Sequence, residues 1–331
     1  MNTTRREDRP TLLAWIGRAL IGVLCVWVGA AGAVSIDVLW YTYADPASEY
    51  RTTGIPGIAA SAHTYPQGSG LTWNLSFYDQ TSPAPNFAAY DVLVIESGEA
   101  FRTGAPGGPL ATPDYSGILG NKAAIAAARG DRTFISGTDS DFHAIRGDTG
   151  LCEAFTGCGY WDGARGYLIN SVNWAASGNG LGIVALLDGE FPAVSERWWT
   201  QPNSFLHDEL AGHVSYFRDN APVIPPGAGA YPLNAGLTSQ GLSNWRNSFH
   251  AGFGSGIAGY TGTVFSTAQP GVAVSIATTA FVDAPTAPIP EPAVAIQVIA
   301  GLLVIFWVLH SRRTARVTPV VRRAGSPTAR E

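Results

Sequence analysis

Apolar runs of strand length alternate along this chain with stretches whose apolar residues recur at helical spacing. Val34 to Tyr41 (VSIDVLWY) is the first run, and Leu71 to Tyr78 (LTWNLSFY) alternates as a second strand. Ala59 to His63, between them, suits a short helix. Val92 to Ile95 are four consecutive apolar residues bounded by Asp91 and Glu96, the pattern of a strand buried on both faces of a parallel sheet. A Gly/Pro loop, Gly104 to Pro113, leads into an alanine-rich helix predicted over Ser116 to Ala128, with Gly130 to terminate it. Arg132 to Ser136 and Leu181 to Leu187 read as further strands, and Tyr167 to Ala176 as a helix. Asn203 or Ser204 is placed to cap a helix running to Phe217, because Leu206, Leu210, Val214 and Phe217 recur at helical spacing. Thr261 to Thr267 and Val272 to Thr279, joined by a Gln-Pro-Gly turn, read as a terminal hairpin. The order predicts an α/β fold, doubly wound on a mostly parallel sheet in the flavodoxin-like manner, with that hairpin at its end.

The two ends follow a different pattern. Arg5, Arg6 and Arg9 precede an apolar run from Leu12 to Val28, interrupted by Arg18, and then Ala31-Gly32-Ala33. A basic start, an apolar segment and a small-x-small site read as a secretory signal peptide over residues 1–33, handled by the Sec translocon. An uncleaved anchor is the alternative, because Arg18 interrupts the apolar segment. At the other end, Pro290-Glu291-Pro292 is followed by uncharged residues from Ala293 to Leu309 and then by Arg312, Arg313 and Arg316. These seventeen residues, rising about 1.5 Å each as helix, reach the short end of what spans a bilayer. The arginines hold the end in the cytoplasm. Asp283 to Ile289 is a proline-rich spacer.

That combination of Pro-Glu-Pro, one hydrophobic span and an arginine cluster resembles the PEP-CTERM sorting signal of Gram-negative bacteria, which exosortase reads. The resemblance implies passage through the inner membrane and periplasm, cutting near Pro290, Glu291 and Pro292, and delivery to the cell surface or exopolysaccharide matrix. It divides the chain into a signal peptide (1–33), an extracytoplasmic α/β domain (34–282), a spacer (283–289), the sorting signal with its transmembrane helix (290–316) and a basic cytoplasmic tail (317–331). The chain continues past Arg316 through Arg322 and Arg323, so a permanent single-pass anchor is the competing expectation.

Between residues 34 and 289 there are ten Lys plus Arg against twenty-one Asp plus Glu, a net charge near −11. A body this acidic excludes nucleic acid as a partner, since phosphate neutralisation needs a basic surface. Its only cysteines are Cys152 and Cys158. Close together in an oxidising compartment, they read as a disulfide rather than a metal site, the alternative being two free thiols. So short a loop contributes at most about 3 kcal/mol.

Two body segments also carry a resemblance. Tyr90 to Arg102 (YDVLVIESGEAFR), with Arg132 to His143 (RTFISGTDSDFH), is similar to the sheet core of class I glutamine-amidotransferase-like proteins. Tyr231 to Phe253 resembles the P-x-x-x-G-L…W…S-x-H segment of the same group, ThuA-like proteins included. Active members carry a cysteine on a glycine-flanked strand-to-helix turn. Here the candidate turns are Ser136-Gly-Thr-Asp-Ser140 and Glu96-Ser-Gly-Glu99, without cysteine, and no G-x-S-x-G elbow occurs. The resemblance thus implies the scaffold without its nucleophile.

Asp139, Asp141 and His143 form the leading polar constellation. If the chain stays extended after Ser136, they point to one side and are candidates to hold a divalent cation. Turn-capping aspartates and a backbone-bonded histidine are the plainer explanation. Glu96 and Glu99 are candidate catalytic carboxylates for glycoside chemistry, and His250 is a candidate to line the same crevice. His207 and His213 are not H-E-x-x-H: six residues turn a helix about 600°, onto different faces. The ten tryptophans offer either sugar-stacking surface or core filling, with core the default. Three functions fit: a non-catalytic exported protein binding extracellular polysaccharide, a surface glycan hydrolase, or an adhesive matrix protein. Mass spectrometry of the exported form is expected to find the Cys152 and Cys158 peptides joined. Two alkylatable thiols in material isolated without reductant would overturn the bridge.

Overall fold

The computed structural model describes residues 34–48, 50–64, 71–97, 113–148, 162–187, 197–243 and 249–282. All of them belong to the compact unit Ala33–Ile289. Glu99, Cys152, Cys158, Leu12 to Val28 and the sorting segment with Pro290, Glu291, Pro292, Arg312 and Arg313 lie outside the described residues. Among the described residues, no helix is long and apolar enough to cross a membrane.

The fold is mixed α/β around one large, mostly parallel sheet. In chain order its elements are β1 (Val34–Tyr41), α1 (Ile55–Ser61), β2 (Leu71–Tyr78), β3 (Val92–Ile95), α2 (Ser116–Gly120), α3 (Lys122–Ala128) and β4 (Arg129–Ser136). There follow α4 (Ser140–Asp148), α5 (Asp162–Ala176), β5 (Leu181–Leu186), α6 (His207–Leu210), β6 (Val214–Asp219), β7 (Phe249–Phe253), β8 (Tyr260–Phe265), β9 (Ala273–Thr278) and α7 (Thr279–Val282). The strands run β2-β1-β3-β5-β4-β9-β7-β6, and β8 pairs with β9 off this path. The first five are mutually parallel. Strands β9, β7, β6 and β8 extend the sheet by antiparallel pairing.

Strands β3 and β5 are buried along their whole length, which explains why each reads as a continuous apolar run. Period 2 sorts their side chains onto two cores. Val38, Trp40, Val92, Val94, Phe134 and Val184 pack with α1, α4 and α5 residues such as Ile55, Ile145 and Leu168. Leu39, Leu93, Ile95, Ile135 and Ile183 pack on the opposite face with Ile118, Ile125, Trp198, Trp199 and Leu206. Strand β2, at the edge, keeps Thr72 and Asn74 exposed and buries Leu71 and Trp73.

The predicted hairpin is present as β8 and β9, paired from Tyr260↔Thr278 to Phe265↔Ala273. Other expectations are corrected. The helix expected to run to Phe217 is only α6, because Gly212 turns the chain at φ 77° and Val214 opens a strand paired with Phe253. Apolar residues four apart are shared between a helical turn and a strand, and the β-branched and aromatic members belong to the strand. The helix expected over Ser116 to Ala128 breaks at Asn121, whose side-chain amide donates to the Gly117 carbonyl (2.7 Å) and to the Tyr78 hydroxyl (2.7 Å). The flavodoxin order 2-1-3-4-5 is also not followed, since β5 lies between β3 and β4.

Replacing Ile183, wholly buried on the central strand, by alanine is expected to cost about 2–5 kcal/mol in urea unfolding. Thr72→Ala on the exposed edge should stay within about 0.5 kcal/mol. Equal losses at the two positions would contradict this placement of the core.

Candidate functional site

The carboxyl ends of β1, β3 and β4 deliver the polar residues singled out by sequence. Strand β1 has β2 on one side and β3 on the other, so the chain winds outward from it in both directions. Such a reversal opens a crevice at the carboxyl edge of an α/β sheet. Just beyond β3, Glu96 is fully buried and its Oε1 accepts the Tyr43 N–H at 2.8 Å, tying it to the end of β1. The Ser97 N–H donates to Asp141 Oδ2 at 3.1 Å. The Tyr115 hydroxyl donates to the Glu96 carbonyl at 3.1 Å, and its ring faces Tyr41, Tyr43 and Trp198.

Beyond β4 the chain turns sharply into α4. The His143 N–H donates to the Asp139 carbonyl at 3.1 Å, closing the first helical turn. Helical spacing, not an extended strand, therefore brings His143 back over Asp139, with Nε2 3.1 Å from Asp139 Oδ1. A second imidazole arrives from β7, where His250 Nε2 stands 3.4 Å from the same oxygen. Its approach depends on Gly137. The Gly137 carbonyl accepts both the His250 and Ala251 N–H groups, at 2.7 and 3.2 Å. A Cβ on residue 137 would sit 2.0 Å from the Ala251 oxygen, so any side chain there would push β7, and His250 with it, out of place.

The expected trio of Asp139, Asp141 and His143 is thus not what the fold assembles. The α4 turn directs Asp141 to Ser97, and His250 takes its place beside Asp139. Among the described residues, no group of three or more His, Cys, Asp or Glu side chains is arranged to hold a metal ion. His207 lies in the short α6 and His213 beyond it, and neither belongs to this centre. The described tryptophans, Trp40, Trp73, Trp174, Trp198 and Trp199, are all buried, so none of them presents a face to a sugar.

The environment drives the carboxyl groups apart. Burial, and then the charge of Asp141, raises Glu96 well above the ordinary carboxyl range, against the pull of the Thr42 hydroxyl and the Tyr43 N–H. Burial, and then Asp139, raises Asp141 against the Ser97 bond. Burial would raise Asp139 too, but the two imidazoles outweigh it and hold that carboxyl far below its usual range. Burial, then Asp141, raises the Tyr50 phenol. Tyr50 opens a π-helical turn, Tyr50–Gly54, whose Arg51 is fixed by Asp79 at 2.9 Å and the Ala44 carbonyl at 3.2 Å. The site therefore sets a carboxyl raised well above its ordinary range near one held far below it, with two imidazoles, within one enclosed edge.

No family model matches the chain, and no curated protein or solved structure matches it. Sequence reasoning found Glu96, Asp139, Asp141, His143 and His250 individually but missed Tyr50, Ser97 and Gly137. It also missed that His250 joins Asp139. A usable signal was present: Asp139 and His143 are four apart, the spacing of neighbours on a helix, directly after a Gly-containing strand end.

A carboxyl whose folded value is raised stabilises fully below its unfolded value, 4.5 for glutamate, and loses that contribution as pH climbs through the folded value. The unfolding midpoint of wild type, relative to Glu96→Gln, is therefore expected to fall as pH rises from about 4.5 toward 8. Parallel curves for the two proteins over that range would refute a buried, neutral Glu96.

Proposed function

We propose that this chain is an exported protein, carried by the Sec translocon and sorted by exosortase to the cell surface or exopolysaccharide matrix of a Gram-negative bacterium. Its body is a doubly wound, amidotransferase-like α/β scaffold that binds glycan without cutting it. The sorting reading rests on Pro290-Glu291-Pro292, the uncharged run to Leu309 and the arginines Arg312 and Arg313. Helices against both faces of the sheet and the crevice between β1 and β3 support the scaffold. The observation that carries the non-catalytic reading is the turn after β4. Amidotransferase-like proteins place a thiol on a turn of this kind; of the two candidate turns here, neither has a cysteine, and in this one, Gly137-Thr138-Asp139-Ser140, Asp139 stands beside two imidazoles.

A second reading, a surface glycan hydrolase, is favoured by one feature of the same edge. Glu96 and Asp139 are carboxyl groups with opposite shifts, and such divergence is how acid and base roles are divided between two like residues. The two readings share a location and differ in turnover.

Replacing Pro290-Glu291-Pro292 by alanines in a host with exosortase is expected to block maturation and surface delivery. Unchanged size and surface exposure would leave the tail as an anchor only. Exported protein incubated with surface polysaccharide should retain it without releasing new reducing ends. Release that disappears in Glu96→Gln would replace the binding reading by the hydrolase.

A further inference from the structure

Of the chain's twelve asparagines, only Asn179 is followed by glycine. The two residues are exposed, in the turn between α5 and β5, and the fold itself dictates the glycine. Gly180 sits at φ 72°, in the left-handed region that other residues rarely enter. With no side chain on the residue that follows, the backbone nitrogen of an Asn-Gly pair can close on the asparagine Cγ. The same turn also holds that asparagine still. The Asn179 N–H donates to Asp131 Oδ1 at 2.9 Å, and its side-chain Nδ2 donates to Asp131 Oδ2 at 2.8 Å. The Asp131 N–H returns a bond to the Asn179 carbonyl at 3.1 Å. Backbone and side chain of Asn179 are thus pinned to one residue of β4. Two more glycines make room for the contact. A Cβ on residue 178 would stand 2.3 Å from Asp131 Oδ1, and one on residue 130 would stand 1.7 Å from the Asn179 oxygen.

We propose that Asn179 is a site of spontaneous deamidation, which Asp131 guards while the fold is intact. In the reaction the Gly180 nitrogen attacks Asn179 Cγ. The new N–Cγ bond replaces the Cγ–Nδ2 bond, and Nδ2 leaves as ammonia with the Gly180 amide proton. Water then opens the five-membered imide at one carbonyl or the other, leaving aspartate or isoaspartate. Water is the only co-reactant, and hydroxide speeds ring closure by drawing off the Gly180 proton. Closure needs the side chain and backbone of Asn179 to rotate toward each other, and the three bonds to Asp131 oppose both rotations. The product reverses the contact that held the residue. A carboxylate at position 179 has no donor for Asp131 Oδ2, so acceptor faces acceptor. The damage lies next to Leu181, which pairs with Arg129 where β4 and β5 first meet.

The test is peptide mapping of the full-length protein in detergent, aged in mildly alkaline buffer and scored by the mass gained when OH replaces NH₂. In urea, with the guard gone, Asn179 is expected to react fastest of all the asparagines. In folded wild type its rate should fall by about tenfold or more, as the loss of one to two net hydrogen bonds implies. Asp131→Ala removes two of the three bonds and should restore most of that rate in the folded protein. The exposed Asn203 and Asn220 should keep their wild-type rates. Asp131→Asn, which retains one acceptor, should give an intermediate rate, and it decides the matter if Asp131→Ala does not fold or if Asn203 and Asn220 accelerate with Asn179. Another asparagine reacting first in urea overturns the site. An Asn179 rate in folded wild type equal to that in urea, or unchanged by both Asp131 variants, overturns the guard.

Discussion

One buried carboxylate between two imidazoles holds the functional edge of this protein together. Asp139 belongs to the turn between β4 and α4, His143 to α4 itself, and His250 to β7, an antiparallel strand more than one hundred residues further along the chain. The three are each at least 97 % buried. Charge taken out of water at this depth costs several kcal/mol per ion and is sustained only by close partners. The Asp139 turn therefore cannot move without stranding a charge. The same constraint fixes where β7 must lie, since the Gly137 carbonyl accepts its backbone N–H groups at the point where His250 reaches Asp139. Fold and site meet in a few residues: the antiparallel addition to the sheet supplies the second imidazole beside Asp139.

Around that centre, burial acts differently on carboxyl groups with and without an imidazole partner. Glu96 and Asp141 have hydrogen-bond donors but no opposite charge in reach that outweighs desolvation, and burial raises both carboxyls above their ordinary values. Asp139 has the imidazoles and stays ionised. The aromatic wall of Tyr41, Tyr43, Tyr115 and Trp198 keeps water from the far side of Glu96. Tyr41 and Tyr115 also spend their hydroxyls on the Asp114 and Glu96 carbonyls.

Much of the parallel half of the sheet was legible in the sequence. Val92–Ile95 and Leu181–Leu186 are buried on both faces, and burial on both faces leaves a continuous apolar run that has no other ready explanation. The β8–β9 hairpin was legible from its turn residues. The segment from Ser204 to Phe217 was not. Leu206, Leu210 and Val214 serve the same core from a helical turn and a strand, so their spacing mimics one long helix. What separates the elements is the positive φ at Gly212, a backbone choice that composition permits and does not dictate. The site residues were legible as types but not as an assembly. Asp139, Asp141 and His143 are adjacent in sequence and look like a set, yet the helical start at Ser140 sends Asp141 toward β3. The third member, His250, is brought in only by pairing between distant strands.

The central claim is that Asp139 and His250 are energetically coupled across the sheet, and a double-mutant cycle measures this directly. Unfolding free energies of wild type, Asp139→Asn, His250→Gln and the double variant are compared at pH 6. The account predicts a coupling of about 1–3 kcal/mol, as for residues in one buried network. Additive losses, within about 0.3–0.5 kcal/mol, would mean that the two side chains merely lie near one another, and would contradict it.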